Sequence, residues 1–181
     1  MTPLWVFGYG SLMWEPGFPF VERHLARLDG FHRSFCMRSI HYRGTPEAPG
    51  LVLALDAAEG GGCAGVAYRV PDAAAEDTLQ YLRARELVSY AYLETWQEVR
   101  LAPGAPVSAL TYVVDPAHAQ YCGDLTLEEQ AQIILRAAGG RGPNRDYLWN
   151  TVAHLDELGI ADDGLAWLAA RVRALEGVTT S

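Results

Sequence analysis

A chain of 181 residues suits one domain, able to bury about 70% of the surface its unfolded form exposes without a disulfide or metal staple. Half of its residues are hydrophobic, yet no apolar run approaches the roughly 20 residues that span a bilayer, and no basic region precedes the short apolar stretch at the N-terminus; the expectation is a soluble, cytoplasmic protein without a membrane partner. Its 14 basic residues, all arginine, against 22 acids give a net charge of −8, which disfavours a nucleic-acid partner.

In chain order, Trp5, Val6 and Phe7 read as a short buried strand. Gly30–Ser39 reads as a second strand, and His41–Gly50 is the one long irregular stretch. Leu51–Leu55 and Gly65–Val70 are expected as separate short strands divided by Gly60, Gly61 and Gly62. Asp72 can cap a helix from Ala73 to about Val88, and Leu93–Leu101 and Ala109–Val114 return to strand around the turn at 103–106. Thr126 with Glu129 forms a capping box, Asn144 can start a helix through Leu158, and Asp163 a last one through Leu175. Strands first and helices late predict a single α+β domain over 1–181. Cys36, Cys63 and Cys122 are odd in number and lack metal or redox spacing, so they read as buried small apolar residues.

The first strand stops at Gly8-Tyr9-Gly10-Ser11. Two glycines let the backbone turn sharply and approach whatever lies above it, and successive N–H groups can then converge on a carboxylate or a developing oxyanion. An ordinary strand-ending turn fits the same residues. A dinucleotide fingerprint would need glycine where Met13 stands, a P-loop needs a lysine that the chain lacks, and Ser11 lacks the esterase elbow's following glycine.

Ala75, Leu79, Leu82 and Glu86 share one helical face, so an inward apolar stripe ends in a carboxylate. Low dielectric and the negative end of the helix dipole would both raise its pKa and suit it to proton exchange near neutral pH. Pairing with Arg83 or Arg85, or solvent exposure at the helix end, is the structural alternative.

These two features stand among four blocks that resemble the ChaC-like γ-glutamylcyclotransferases, in particular the glutathione-specific branch. WVFGYGSLMWEPGF is similar to the family's N-terminal substrate loop, HYRGTPEAPG to its Arg-Gly-Thr-Pro segment, YLRARELVSY to the segment bearing the catalytic glutamate, and GGRGPNRDYLWN to its Asn-Arg-Asp-Tyr-Leu segment. One departure is that Arg85, Glu86, Leu87, Val88, Ser89 and Tyr90 stand where many members read Arg-Glu-x-Gly-Gly-Tyr, so two glycines are lost. The resemblance implies a small mixed sheet or barrel with surrounding helices and a cofactor-free reaction: the α-amine of a γ-glutamyl group attacks its own side-chain carbonyl, closing 5-oxoproline and expelling the attached amine, cysteinylglycine in the case of glutathione. Glu86 would be the base, and Val6, Phe7, Gly8, Tyr9, Gly10, Ser11 and Leu12 the loop that holds the substrate, a small molecule. Arg43 could neutralise the glycine carboxylate of a tripeptide and Tyr147 could close the site; a solvated arginine and a core tyrosine are the alternatives. A cyclotransferase for other γ-glutamyl compounds and a silent γ-glutamyl-binding module are the competing functions.

Overall fold

The computed structural model describes residues 2–87 and 91–179. The order of elements is β1 (Leu4–Gly8), a 3₁₀ turn (Ser11–Met13), β2 (Glu22–Ser39), β3 (Gly50–Val70), α1 (Ala75–Glu86), β4 (Tyr92–Ala102), β5 (Pro106–Val114), α2 (Leu127–Arg136), β6 (Ala138–Gly139), β7 (Gly142–Pro143), α3 (Asn144–Leu158) and α4 (Asp163–Thr179). The architecture is the α+β barrel expected. Two compact units divide the chain, Met1–Arg33 with Ala54–His118, and Ser34–Leu53 with Ala119–Ser181.

The five longer strands close a barrel in the order β1-β3-β2-β4-β5. All five residues of β1 are buried, as its bulky sequence demands: it runs antiparallel to β3 with Val6 opposite Tyr68, and parallel to β5 with Val6 opposite Leu110. Tyr68, Tyr112, Phe7, Met13, Leu28, Leu82 and Leu110 are fully buried. A chain that buries one element on two neighbours at once gains most of its stability from these apolar contacts, at about 25 cal/mol per Å² removed from water.

Three strand expectations need correction. The second strand begins at Glu22, not at Gly30, because the alternation from Glu22 to Leu28 already suits a strand with one face buried. The two expected strands at Leu51–Leu55 and Gly65–Val70 are one, β3. The glycines at 60–62 do not end it: Gly60 takes a φ of +74°, which bends the strand locally, and Gly62 lies flat beneath the Arg27 guanidinium, where a Cβ would collide. The expected strands over 93–101 and 109–114 are present as β4 and β5.

Asp72 does not cap α1. It opens a separate 3₁₀ turn, Asp72–Ala74, and neither that turn nor α1 has a side-chain cap. The helix is described to Glu86, and Val88, named above as its approximate end, lies outside the described residues.

In the second unit α2, α3 and α4 pack on one another through Ile134, Leu148, Leu155, Leu165, Leu168 and Val172, all buried. The capping box of Thr126 and Glu129 is formed reciprocally, each bond 3.1 Å. Asn144 starts α3, but not by capping it: its side chain accepts from Leu51 N–H at 2.8 Å and donates to Leu51 C=O at 2.9 Å, so a fully buried amide serves as the partner of a strand backbone. Asp163 starts α4 as expected, with Asp162 just before it accepting from Leu165 N–H at 3.0 Å, and the helix runs past Leu175 to Thr179. The short pair β6–β7, with Gly139 opposite Gly142, gave no sequence signal. Cys36, Cys63 and Cys122 are all buried and unbridged, as expected.

Candidate active site

Helix α1 buries Thr78 and Leu82 and half-buries Ala75 and Leu79 beside them, so its inward face is the one the spacing predicts. Glu86 closes that face with its side chain 19% exposed. Burial pushes its carboxyl above the ordinary carboxylate value, and the Arg85 guanidinium, with Nε 3.7 Å from Glu86 Oε1, pulls part of the way back. A carboxyl held there takes up a proton more readily than an exposed one.

Arg85 is the busiest side chain of this helix. Its Nη2 donates to Ser11 Oγ at 2.8 Å, and its Nη1 donates to Glu15 C=O at 2.8 Å, Pro16 C=O at 3.3 Å and Tyr81 Oη at 2.9 Å. The loop after β1 is therefore tied to the helix that carries Glu86. Gly17 and Phe18 extend the seam: a Cβ at Gly17 would overlap Tyr81, and the Phe18 ring meets Tyr81 and Tyr68 edge-on at 6.5 and 5.6 Å.

The loop itself is fixed from below. Arg33, 6% exposed, donates from Nε to Tyr9 C=O at 2.8 Å and from Nη2 to Ala64 C=O. Gly10 C=O accepts from Met13 N–H at 2.9 Å, and Ser11 C=O from Glu15 N–H at 2.8 Å. The carbonyls of Tyr9, Gly10 and Ser11 are thus committed to protein donors, and the first amides of a helical turn have no acceptor within that turn. Gly10 is buried, yet a Cβ built on it meets no atom within 4 Å, so it faces a recess; Gly8 is different, since its Cβ would lie 2.9 Å from Leu12 Cβ. Val6 and Phe7 contribute backbone alone to this end of the barrel, their side chains being buried in the core. Ser11 and Tyr9 stand at the loop, and Leu12 packs beneath it.

Tyr112, on β5, completes the polar surroundings. Its hydroxyl donates to Glu94 Oε1 at 2.8 Å, and Glu94 takes a two-pronged contact from Arg83, Nε at 3.0 Å and Nη2 at 3.1 Å. Burial first, then the bond to Glu94 and the nearby Glu86 charge, raise the Tyr112 hydroxyl far above its ordinary value, so it stays protonated. Arg83 is thereby engaged with Glu94, which leaves Arg85 as the cation beside Glu86.

Arg43 and Tyr147 belong to the second unit. Arg43 Nη1 donates to Arg141 C=O at 3.0 Å and Pro143 C=O at 3.1 Å, and its Cζ lies 5.7 Å from the centroid of the Tyr147 ring. Tyr147 Oη accepts from Leu53 N–H at 3.3 Å while its ring meets Phe35 edge-on at 5.8 Å. Arg43 therefore braces the turn at 141–143, and Tyr147 ties α3 to Leu53 of β3.

Arg85 was read from sequence as a pairing partner of Glu86, which the 3.7 Å contact bears out, but not as a tie to the loop, and Arg33 and Tyr112 were not singled out. Arg85 had a usable signal, its place four residues after Tyr81 on one helical face. Arg33 sits in a strand as one arginine among many, and nothing local marks it as buried. Among the described residues no group of His, Cys, Asp and Glu is placed to hold a metal ion, and no helix is long and apolar enough to cross a membrane.

A barrel whose first strand ends in a Gly-x-Gly-Ser turn tied to a half-buried glutamate defines a class. The family model for ChaC-like proteins matches residues 4–175, and the chain belongs to that family. It is 42% identical over 173 residues to the glutathione-specific gamma-glutamylcyclotransferase of Escherichia coli K12, covering 96% of this chain and 74% of the relative. Gamma-glutamylcyclotransferase 2-3 of Arabidopsis thaliana is 38% identical over 176 residues, covering 94% of this chain and 88% of the relative. A crystal structure of a yeast gamma-glutamyl cyclotransferase specific to glutathione superposes with a TM-score of 0.83 over 96% of this chain and 99% of that one; at 24% identity it speaks for the fold.

Proposed function

We propose that this protein is a glutathione-specific γ-glutamylcyclotransferase, a lyase that needs no cofactor, with Glu86 as its acid–base residue and the loop 6–12 as its γ-glutamyl-binding segment. The observation that carries the reading is Glu86 itself, a half-buried carboxyl with a raised pKa, joined through Arg85 to Ser11 of the loop. Family membership and the glutathione-specific relatives support the substrate.

An α-amine has a pKa of about 8, so most of the substrate carries an ammonium at neutral pH and cannot attack. Glu86 takes one proton from it. The freed amine attacks the γ-carbonyl of the same molecule, forming the ring C–N bond of 5-oxoproline, while the amides of the Gly10–Leu12 turn stabilise the developing oxyanion. Glu86 then returns the proton to the departing nitrogen as the original γ-amide bond breaks, and the second proton of the ring nitrogen follows by the same route, so that the lactam is left neutral and the amine departs as its ammonium. No water is consumed, and each proton taken is given back. Because nucleophile and electrophile belong to one molecule, the protein accelerates the step chiefly by holding the folded-back conformer, an orientation effect worth about 7 to 11 kcal/mol at best. Arg43 and Tyr147 enter this reading as substrate contacts, Arg43 for a carboxylate remote from the reacting centre.

Incubation with glutathione, γ-Glu-Ala and γ-Glu-ε-Lys in parallel, reading 5-oxoproline from each, tests the reading. Release from glutathione alone or in large excess supports it. Release only from the other two moves the protein to a different γ-glutamyl substrate, and release from none overturns it.

A further inference from the structure

Glu86 is a base only if the loop presents the substrate at a fixed place relative to it, and β1 with its loop is separated from α1 by two long strands in the chain. Side-chain contacts must supply that fixed relation. Arg85 supplies most of them: one guanidinium donates to the Ser11 hydroxyl, to two consecutive loop carbonyls at Glu15 and Pro16, and to Tyr81, while its Nε faces Glu86. Adjacent helical residues point about 100° apart, so Glu86 can look into the site while Arg85 reaches along its edge to the loop. The Ser11 oxygen, accepting from Arg85, keeps its own proton for a different acceptor, and a bound carboxylate is one it suits.

Resting on the cyclotransferase reading, we infer that Arg85 is a positioning residue for the reaction: its planar fork locks the Ser11 loop to the helix bearing Glu86 and, as the cation beside that carboxylate, keeps it ionised for its role as base. Two properties of arginine are needed at once, the fork and the charge. Lysine keeps only the charge, and methionine keeps neither. The other charged and titratable groups around Glu86 among the described residues are Tyr112 on β5, protonated and committed to Glu94 on β4, and Arg83 on α1, committed to the same Glu94. None of these replaces Arg85 as a cation at the carboxylate.

The test uses Arg85→Lys and Arg85→Met in the full chain, with two readouts. One is the pH dependence of kcat/KM for glutathione. The other needs no turnover: titration of the Glu86 carboxyl by carbon-13 NMR, assigned with Glu86→Gln. In Arg85→Met the Glu86 midpoint and the acid limb move up together by about one pH unit, the effect of removing a close opposite charge. KM rises about tenfold or more as the fork to the loop is lost. Arg85→Lys leaves the midpoint within roughly a few tenths of a unit of the parent while KM still rises. An unshifted midpoint in folded Arg85→Met overturns the inference, even if kcat falls, since a mere prop would lower activity at every pH alike. If Arg85→Met does not fold by circular dichroism, Arg85→Lys decides through KM: a rise with an unmoved acid limb supports the inference, and a parental value overturns it. A parent protein that releases no 5-oxoproline refutes the functional reading instead, and the NMR midpoints still decide the role of Arg85.

Discussion

Arg85 Nη2 lies 2.8 Å from Ser11 Oγ, a contact between residues 74 apart in sequence that joins the helix bearing Glu86 to the loop ending β1. Each half is unremarkable alone: a Gly-x-Gly-Ser turn ends many buried strands, and many helices finish in a glutamate. Held together they put a proton acceptor and a set of backbone donors in one arrangement, which is what an intramolecular acyl transfer needs.

Replacing Glu86 with Gln should cost at least about 100-fold in turnover while the fold survives, since a positioned acid–base group contributes that much or more and Gln keeps the size without the proton affinity. The same variant should be more heat-stable than the parent at pH 7.5. Burial raises the Glu86 pKa, so the native state binds its proton more tightly than the unfolded chain. Stability therefore falls as pH rises from the ordinary carboxylate value through the folded one, and the cost is complete above that window. Gln bears no such cost. Melting curves at pH 4 and pH 7.5 check this: the advantage of Glu86→Gln should be present at pH 7.5 and shrink at pH 4, and a variant less stable at pH 7.5 contradicts it.

The two glycines of the loop should separate stability from binding. A side chain at Gly8 would press on Leu12 Cβ at 2.9 Å, so Gly8→Val should lower stability by about 1 to 3 kcal/mol, as overpacking does. A side chain at Gly10 meets open space, so Gly10→Val should melt near the parent temperature yet lose substrate affinity by filling the recess. Sequence reasoning put a turn-making role on Gly10 as well; its φ of −128° removes that part of the argument. Thermal melts beside KM for both variants decide, and a Gly10→Val protein with parental KM would take the recess out of the site.

Turnover should fall on the acid side of neutrality, with an apparent pKa above that of an exposed carboxylate, because Glu86 must be ionised and burial makes it harder to ionise. A kcat/KM profile that stays flat between pH 5 and 8 contradicts this.

How far the chain could be read before folding differs from element to element. The inward face of α1 was legible because helix periodicity is local, and so were the Thr126 capping box and the buried cysteines. Gly60–Gly62 misled because glycine marks a turn in the chain equally well when a strand ends and when it continues; only the paired neighbours decide. Asn144 marked the start of α3 correctly, but what its side chain does there was not legible, for a related reason. An asparagine at a helix start reads as a cap, but here its amide pairs with Leu51, 93 residues away, a partner no local pattern announces. Arg33 and the loop contacts of Arg85 were missed on the same ground, their acceptors being backbone carbonyls rather than charges with a spacing, whereas the pairing of Arg85 with Glu86 was legible.

Arg43 carries a specificity expectation. Removing one charge-assisted contact, worth about 1.5 to 3 kcal/mol, should cut kcat/KM for glutathione by roughly 10- to 150-fold in Arg43→Met and barely alter a γ-glutamyl amine that lacks the carboxylate. Loss of its bonds to Arg141 and Pro143 carbonyls should also lower the melting temperature. Steady-state kinetics on both substrates with the folded variant check this, and equal loss on the two would make Arg43 purely a brace.

The central claim is cyclisation by Glu86, and product stoichiometry from glutathione addresses it most directly. Quantifying 5-oxoproline, cysteinylglycine and free glutamate from one reaction should give 5-oxoproline and cysteinylglycine in equal amounts with no glutamate, and folded Glu86→Gln should give neither at a comparable rate. Free glutamate in place of 5-oxoproline would mean hydrolysis by water, and undiminished 5-oxoproline from Glu86→Gln would place the base elsewhere; either result contradicts the account.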